Sequence, residues 1–223
     1  MTKHQYHCIY RSSGFSLIEV VLAIGIFLVT VLALVGLLGP TLQSIDEVEK
    51  TDEVSSIVNT VNAFLQNSPS IAVAPDSKFT TIYNAVGTGD FATLFVFRAY
   101  QSAQSENIVL KVGFDEGEAV GTNAKIRTAD FSVAAGPIYR VVLTASSVIP
   151  DGYLNETKPD RNGNGIYTLS ESIATYLEGS FAMEVRIYAE EPPGPNQTFV
   201  SATNLGTLNT KEPIFTYNTA IVR

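Results

Sequence analysis

The chain has 223 residues with a formal net charge of -8, and its 45% hydrophobic content is enough for one domain with a buried core plus an appendage. The acidic balance, with no basic cluster, excludes nucleic acid as a main partner, because phosphate binding draws its affinity from Lys and Arg. His4, His7 and Cys8 are the only histidines and the only cysteine, so the stretch from Phe15 onward has no imidazole or thiol for a triad, a Cys/His dyad, a disulfide or a thiolate metal site. Carboxylate-only chemistry survives that exclusion, but no paired-carboxylate motif stands out, and the chain is expected not to be an enzyme.

Residues 1–14 carry Lys3 and Arg11 and no acid; without them the chain has 12 basic and 22 acidic side chains, a net charge of -10. From Val20 to Leu38 run 19 uncharged, mostly aliphatic residues. As a helix they span about 28 Å, the thickness of a bilayer's hydrocarbon core. A secretory signal has a shorter apolar stretch followed by a small-residue cleavage site, and a lipoprotein signal needs a cysteine after the stretch, whereas Cys8 precedes it. Lys3 and Arg11 on one side, with Asp46, Glu47 and Glu49 on the other, predict a cytoplasmic N-terminus and an exported C-terminal portion.

Glu19 opens the apolar run. A carboxylate in hydrocarbon is costly unless it is paired, so it marks a functional position, with hydration at headgroup level as the structural alternative. Gly14-Phe15-Ser16-Leu17-Ile18-Glu19, after a basic leader and before an uninterrupted apolar run, resembles the type IV prepilin signature. The resemblance implies cleavage between Gly14 and Phe15 by a prepilin peptidase, N-methylation of Phe15, and pairing of the Glu19 carboxylate with the terminal amine of a neighbouring subunit. It further implies an inner-membrane assembly platform as partner, a single-pass inner-membrane location with the large domain periplasmic, and later passage into a periplasmic or extracellular filament. The run Gly14 to Phe27 looks most like minor pseudopilins and minor pilins; Leu32 to Leu42 also resembles Verru_Chthon cassette proteins of type B. A membrane-tethered or filament-tip adhesion module is the alternative reading.

Ile45, Val48, Val54, Ile57, Val58, Val61, Phe64 and Leu65 continue the helix as an amphipathic stripe, ended by Asn67-Ser68-Pro69. A helix over 15–66, about 78 Å long, is predicted, with a kink or local melting at Gly36 to Pro40. Beyond it, 67–223 reads as an exported β-rich domain. Strands are expected at Phe79–Asn84, Phe91–Tyr100, Asn107–Phe114, Ile138–Thr144, Phe181–Ala189 and Ile214–Val222, with a short helix at Leu169–Glu178 and a Pro-rich loop at Glu190–Pro195. The class is α+β, which the resemblance sharpens to a pilin-like long helix packed on a mainly antiparallel sheet.

Residues 160–171 match the twelve-residue EF-hand-like calcium loop. Asp160, Asn162 and Asn164 stand at the first three donor positions, Gly165 at the sixth, and Glu171 at the twelfth. Ca2+ would add the Ile166 carbonyl and Thr168 through water. Pro150, Gly152 and Pro159 rule out a normal entering helix, and a plain Asn/Gly turn is the competing reading.

Overall fold

A computed structural model describes residues 14–101, 106–154, 165–194, 199 and 211–223, with the backbone alone at 38–50 and 89. The chain divides into two compact units, Met1–Glu53 and Val54–Arg223.

Helix α1, Leu17–Asn67, supplies the first unit and the start of the second. Ser16 caps it, its Oγ accepting the Glu19 amide at 3.3 Å. Its Leu17–Leu37 stretch is long and apolar enough to cross a membrane, with none of it buried. This fits a single-pass membrane segment. The helix runs through Gly36–Pro40 without interruption, so the expected local melting is not found. Proline removes one donor and crowds one turn, and the hydrogen bonds on either side keep the helix going.

In the second unit, α1 buries Ile57, Val61 and Leu65, with Val58 and Phe64 packed beside them, which is the predicted stripe. Side chains at Ile45 and Val48 lie outside the described residues. At the far end Ser68 N donates to the Phe64 carbonyl at 3.0 Å, Pro69 blocks continuation, and the Lys78 ammonium donates to the Gln66 carbonyl. A 3-10 turn, Pro69–Ile71, follows.

Phe79–Asn84 is not a strand but part of helix α2, Lys78–Gly89. Its Phe, Thr, Ile and Tyr residues look extended by composition, yet Phe79, Ile82, Tyr83 and Val86 recur at helical spacing and all four are buried. Ser77 caps the helix by accepting Thr80 N at 3.2 Å, and Asp90, at φ 63°, ends it.

Six strands form one sheet in the order β3-β2-β1-β4-β5-β6. They are β1 Phe91–Tyr100, β2 Ile108–Asp115, β3 Lys125–Ile126, β4 Ala134–Ala145, β5 Ser180–Glu190 and β6 Phe215–Val222. Every pairing is antiparallel except the short parallel β2–β3 contact. The class is therefore α+β with a mainly antiparallel sheet. The β1, β2, β4, β5 and β6 segments were expected; two-residue β3 has too little sequence to carry a pattern.

One face of the sheet joins Leu94, Val96, Val141, Leu143, Met183, Val185 and Ile187 to the α1 and α2 stripes. The opposite face carries Phe95, Phe97, Phe131 and Ile138, with Phe199 packed on them. Burial on both faces explains why Ala92–Phe97 and Ile138–Ala145 are buried throughout rather than alternately. Arg140 lies on that second face, its guanidinium 4.9 Å from the Phe95 ring centre and bonded to Glu190 at 2.7 and 3.0 Å.

The helix expected at Leu169–Glu178 is absent. Leu169 bridges Leu154, Ser170 N donates to the Tyr153 carbonyl at 3.0 Å, and a single turn follows at Ser172–Tyr176. Ser and Thr hydroxyls compete with helical hydrogen bonds here, as the Ser172 and Thr175 side chains do by bonding each other and nearby backbone. Tyr176 is then buried against Tyr83, Tyr153 and Phe181, which holds the segment in its irregular path.

Candidate functional site

The N-terminal segment is the first candidate. Gly14, Phe15 and Ser16 precede α1 in non-helical conformation, and all three are exposed. Phe15 is 82% exposed, so the Gly14–Phe15 peptide bond stands in an exposed, non-helical stretch. Glu19 falls in the first turn of α1. Sequence reasoning picked out Glu19 and missed the role of Ser16. The signal was available, since Ser16-Leu17-Ile18-Glu19 is the S-x-x-E spacing of a capping box, and Ser16 makes the first half of it.

Two features of this segment lie close together in sequence. A free amine at Phe15 would sit one residue from the helix cap, and Glu19 lies on the first turn of the same helix. Leu17 to Leu37 then presents only uncharged surface apart from Glu19. A carboxylate at the head of so long an apolar segment is costly unless it is paired or hydrated.

The second candidate is the 160–171 loop. Asp160, Asn162 and Asn164 lie outside the described residues. Gly165 has φ 69°, the left-handed conformation that a sharp calcium-loop turn demands of its sixth residue. Ile166 is fully buried against Val142 and Tyr188, and Thr168 is also buried. Tyr167 bridges Ala145, and the Arg186 guanidinium donates to the Gly165 carbonyl at 2.7 Å, so the second half of the loop is fixed to the sheet. The exposed Glu171 carboxylate accepts the Thr175 hydroxyl at 2.7 Å, while its backbone carbonyl accepts Tyr83 OH at 2.9 Å. Among the described residues no three His, Cys, Asp or Glu side chains gather as a metal site.

The helix α1 also meets the sheet through polar groups. Asn62 Oδ1 accepts the Thr219 hydroxyl at 3.0 Å and the Tyr217 hydroxyl at 3.4 Å. Burial pushes the Tyr217 phenol up to about 12, so it remains a donor throughout the neutral range.

No protein-family model, curated protein or solved structure matches the chain.

Proposed function

We propose that this chain is a structural subunit of a type IV pilus-like or type II secretion pseudopilus-like filament. It is made as a precursor, cut between Gly14 and Phe15 by a prepilin peptidase, and methylated at Phe15. The apolar half of α1 holds it in the inner membrane with the β-rich portion on the periplasmic side. Assembly moves it into a filament through that same helix, in contact with the assembly platform, lipid and other subunits.

The observation that carries this reading is the Gly14–Glu19 segment. An exposed, non-helical scissile bond stands directly before a Ser-capped helix whose first turn holds the one carboxylate of an otherwise uncharged Leu17–Leu37 stretch. A peptidase needs an extended, reachable bond. A filament needs a register device, and a carboxylate paired with a neighbour's terminal amine supplies one, because each charge is costly in hydrocarbon without the other. The Val54–Asn67 end of α1, which buries Ile57, Val61 and Leu65, ties the helix to the sheet.

Glu19→Ala tests the register step. In cells containing prepilin peptidase and the filament machinery, the variant is cut after Gly14 but fails in methylation or filament entry. Wild-type incorporation of Glu19→Ala into filaments would contradict the charge-pair role.

A further inference from the structure

The β1–β2 ladder ends at the Leu94–Phe114 pair, and β2 pairs only with β3 over its last residue, Asp115. The next β1 amide, Thr93 N, is taken by a side chain instead of a strand: Glu118 Oε1 accepts it at 2.7 Å. Glu118 sits in the turn that follows β2. That turn is closed by Glu118 N to the Asp115 carbonyl at 3.0 Å and Val120 N to the Glu118 carbonyl at 2.9 Å. Its next residue, Gly121, donates its amide to the Ile71 carbonyl at 3.1 Å. Ile71 belongs to the 3-10 turn directly after α1, so one short segment fastens the exit of α1 to the start of β1.

The approach at Gly121 is close. A Cβ there would lie 2.2 Å from the Ser70 carbonyl oxygen and 3.0 Å from that of Ala72. Val120 and Ala124 on either side are buried in the main core. The turn thus has two attachments, a packed one at Val120–Ala124 and an ionisable one at Glu118.

We propose that the 115–124 turn is a proton-controlled latch, in which the protonated Glu118 carboxyl keeps the turn seated between β1 and the 69–71 turn and ionisation favours its release.

Burial is the main influence on this carboxyl and pushes it up to about 7, against the pull of the Thr93 amide. Asp115 at the end of β2 pushes the same way, and Lys125 on β3 opposes both. The Lys125 ammonium is bonded to the Glu116 carbonyl at 3.0 Å, and the Glu116 carboxylate faces Thr128. The 69–71 turn, Pro-Ser-Ile, carries no titratable side chain.

The direction follows from linkage. The seated carboxyl holds its proton to about pH 7, whereas a released, hydrated one has the ordinary value of 4.5. Seating is therefore fully favoured below about pH 4.5, weakens as pH rises toward 7, and stays at its weakened level above that. Release becomes more populated by up to about 300-fold across that window. The latch does not depend on the filament reading.

The test is amide hydrogen exchange on the full-length chain in detergent micelles, corrected for intrinsic exchange rates. Protection at Thr93 and Gly121 is expected to fall at least about tenfold between pH 5 and pH 7.5, while amides of β4 and β5 hold theirs. Glu118→Gln keeps an acceptor but cannot ionise, and is expected to flatten that pH dependence. Equal slopes in wild type and Glu118→Gln would overturn the proposal. A titration of 13C-labelled glutamate carboxyls in the wild type needs no variant. A Glu118 midpoint of 6 or above supports the latch, and a midpoint below 6 overturns it.

Discussion

Asn62 Oδ1 accepts the Thr219 hydroxyl at 3.0 Å, joining α1 to the edge strand β6 across 157 residues of sequence. Among the described residues β6 is the last strand of the sheet and pairs only with β5, so this bond ties its other side to the helix. Asn62→Ala leaves the half-buried hydroxyls of Thr219 and Tyr217 without this acceptor, and is expected to destabilise the domain by about 1–3 kcal/mol. Asn59→Ala, on the exposed side one turn earlier, should stay within about 0.5 kcal/mol of wild type. Urea midpoints of the two variants in detergent make the comparison; equal midpoints would remove the anchor.

Gly121 is required for space rather than for backbone freedom. Its φ of -56° and ψ of 139° suit any residue, but a Cβ would enter the Ser70 carbonyl. Gly121→Ala is expected to cost about 1–3 kcal/mol, and Gly117→Ala, four residues earlier with open space around it, close to nothing. Thermal melting of both variants checks this, and a Gly121→Ala protein as stable as Gly117→Ala would refute it.

Arg140 and Glu190 form a buried, two-pronged ion pair, their side chains 1% and 10% exposed. Removing only the acid takes both of these bonds from a desolvated guanidinium packed against Phe95 and Phe199. Glu190→Ala should therefore cost about 3–5 kcal/mol, whereas Arg140→Met combined with Glu190→Ala should recover much of that loss. A double-mutant cycle by urea unfolding measures the coupling, and strictly additive effects would show that the pair is not coupled.

The 160–171 loop is expected to bind Ca2+ weakly, with a Kd of about 0.1–1 mM, since it has only two carboxylates. At 10 mM Ca2+ that affinity adds about 1.4–2.7 kcal/mol of stability by mass action. Thermal melting of wild type with Ca2+ and with chelator should show the gain, and the Asp160→Asn, Glu171→Gln double variant should not. Identical melting of the wild type under both conditions would count against calcium at this loop.

Much of this architecture was readable from residue pattern alone. The apolar run, the Ile57-Val61-Leu65 stripe and the stop at Asn67-Ser68-Pro69 are local signals, and the helix occupies the expected span to within two residues at either end. The five longer strands carry β-branched and aromatic runs bounded by turn residues. Three features had causes that the pattern does not display. Phe79–Asn84 has strand-like residue types, and only the Ser77 cap and the buried Phe79, Ile82, Tyr83, Val86 face reveal a helix. Leu169–Glu178 has helical apolar spacing, but the Leu154–Leu169 bridge and the burial of Tyr176 are long-range contacts that override it. Glu118 looks like any acid in a turn until the end of the β1–β2 ladder places Thr93 N beside it. Of the candidate site, the Gly14–Glu19 spacing was fully legible, because it depends on neighbours in sequence; the Gly165 turn was legible for the same reason.

The most direct test of the filament-subunit account is the intact mass and N-terminal sequence of the protein recovered from membranes of cells with an active prepilin peptidase. The account predicts a chain beginning at Phe15, carrying one methyl group on its α-amine, and an uncut chain when the peptidase is absent. A chain that keeps residues 1–14, or is cut elsewhere, in peptidase-positive cells would contradict it.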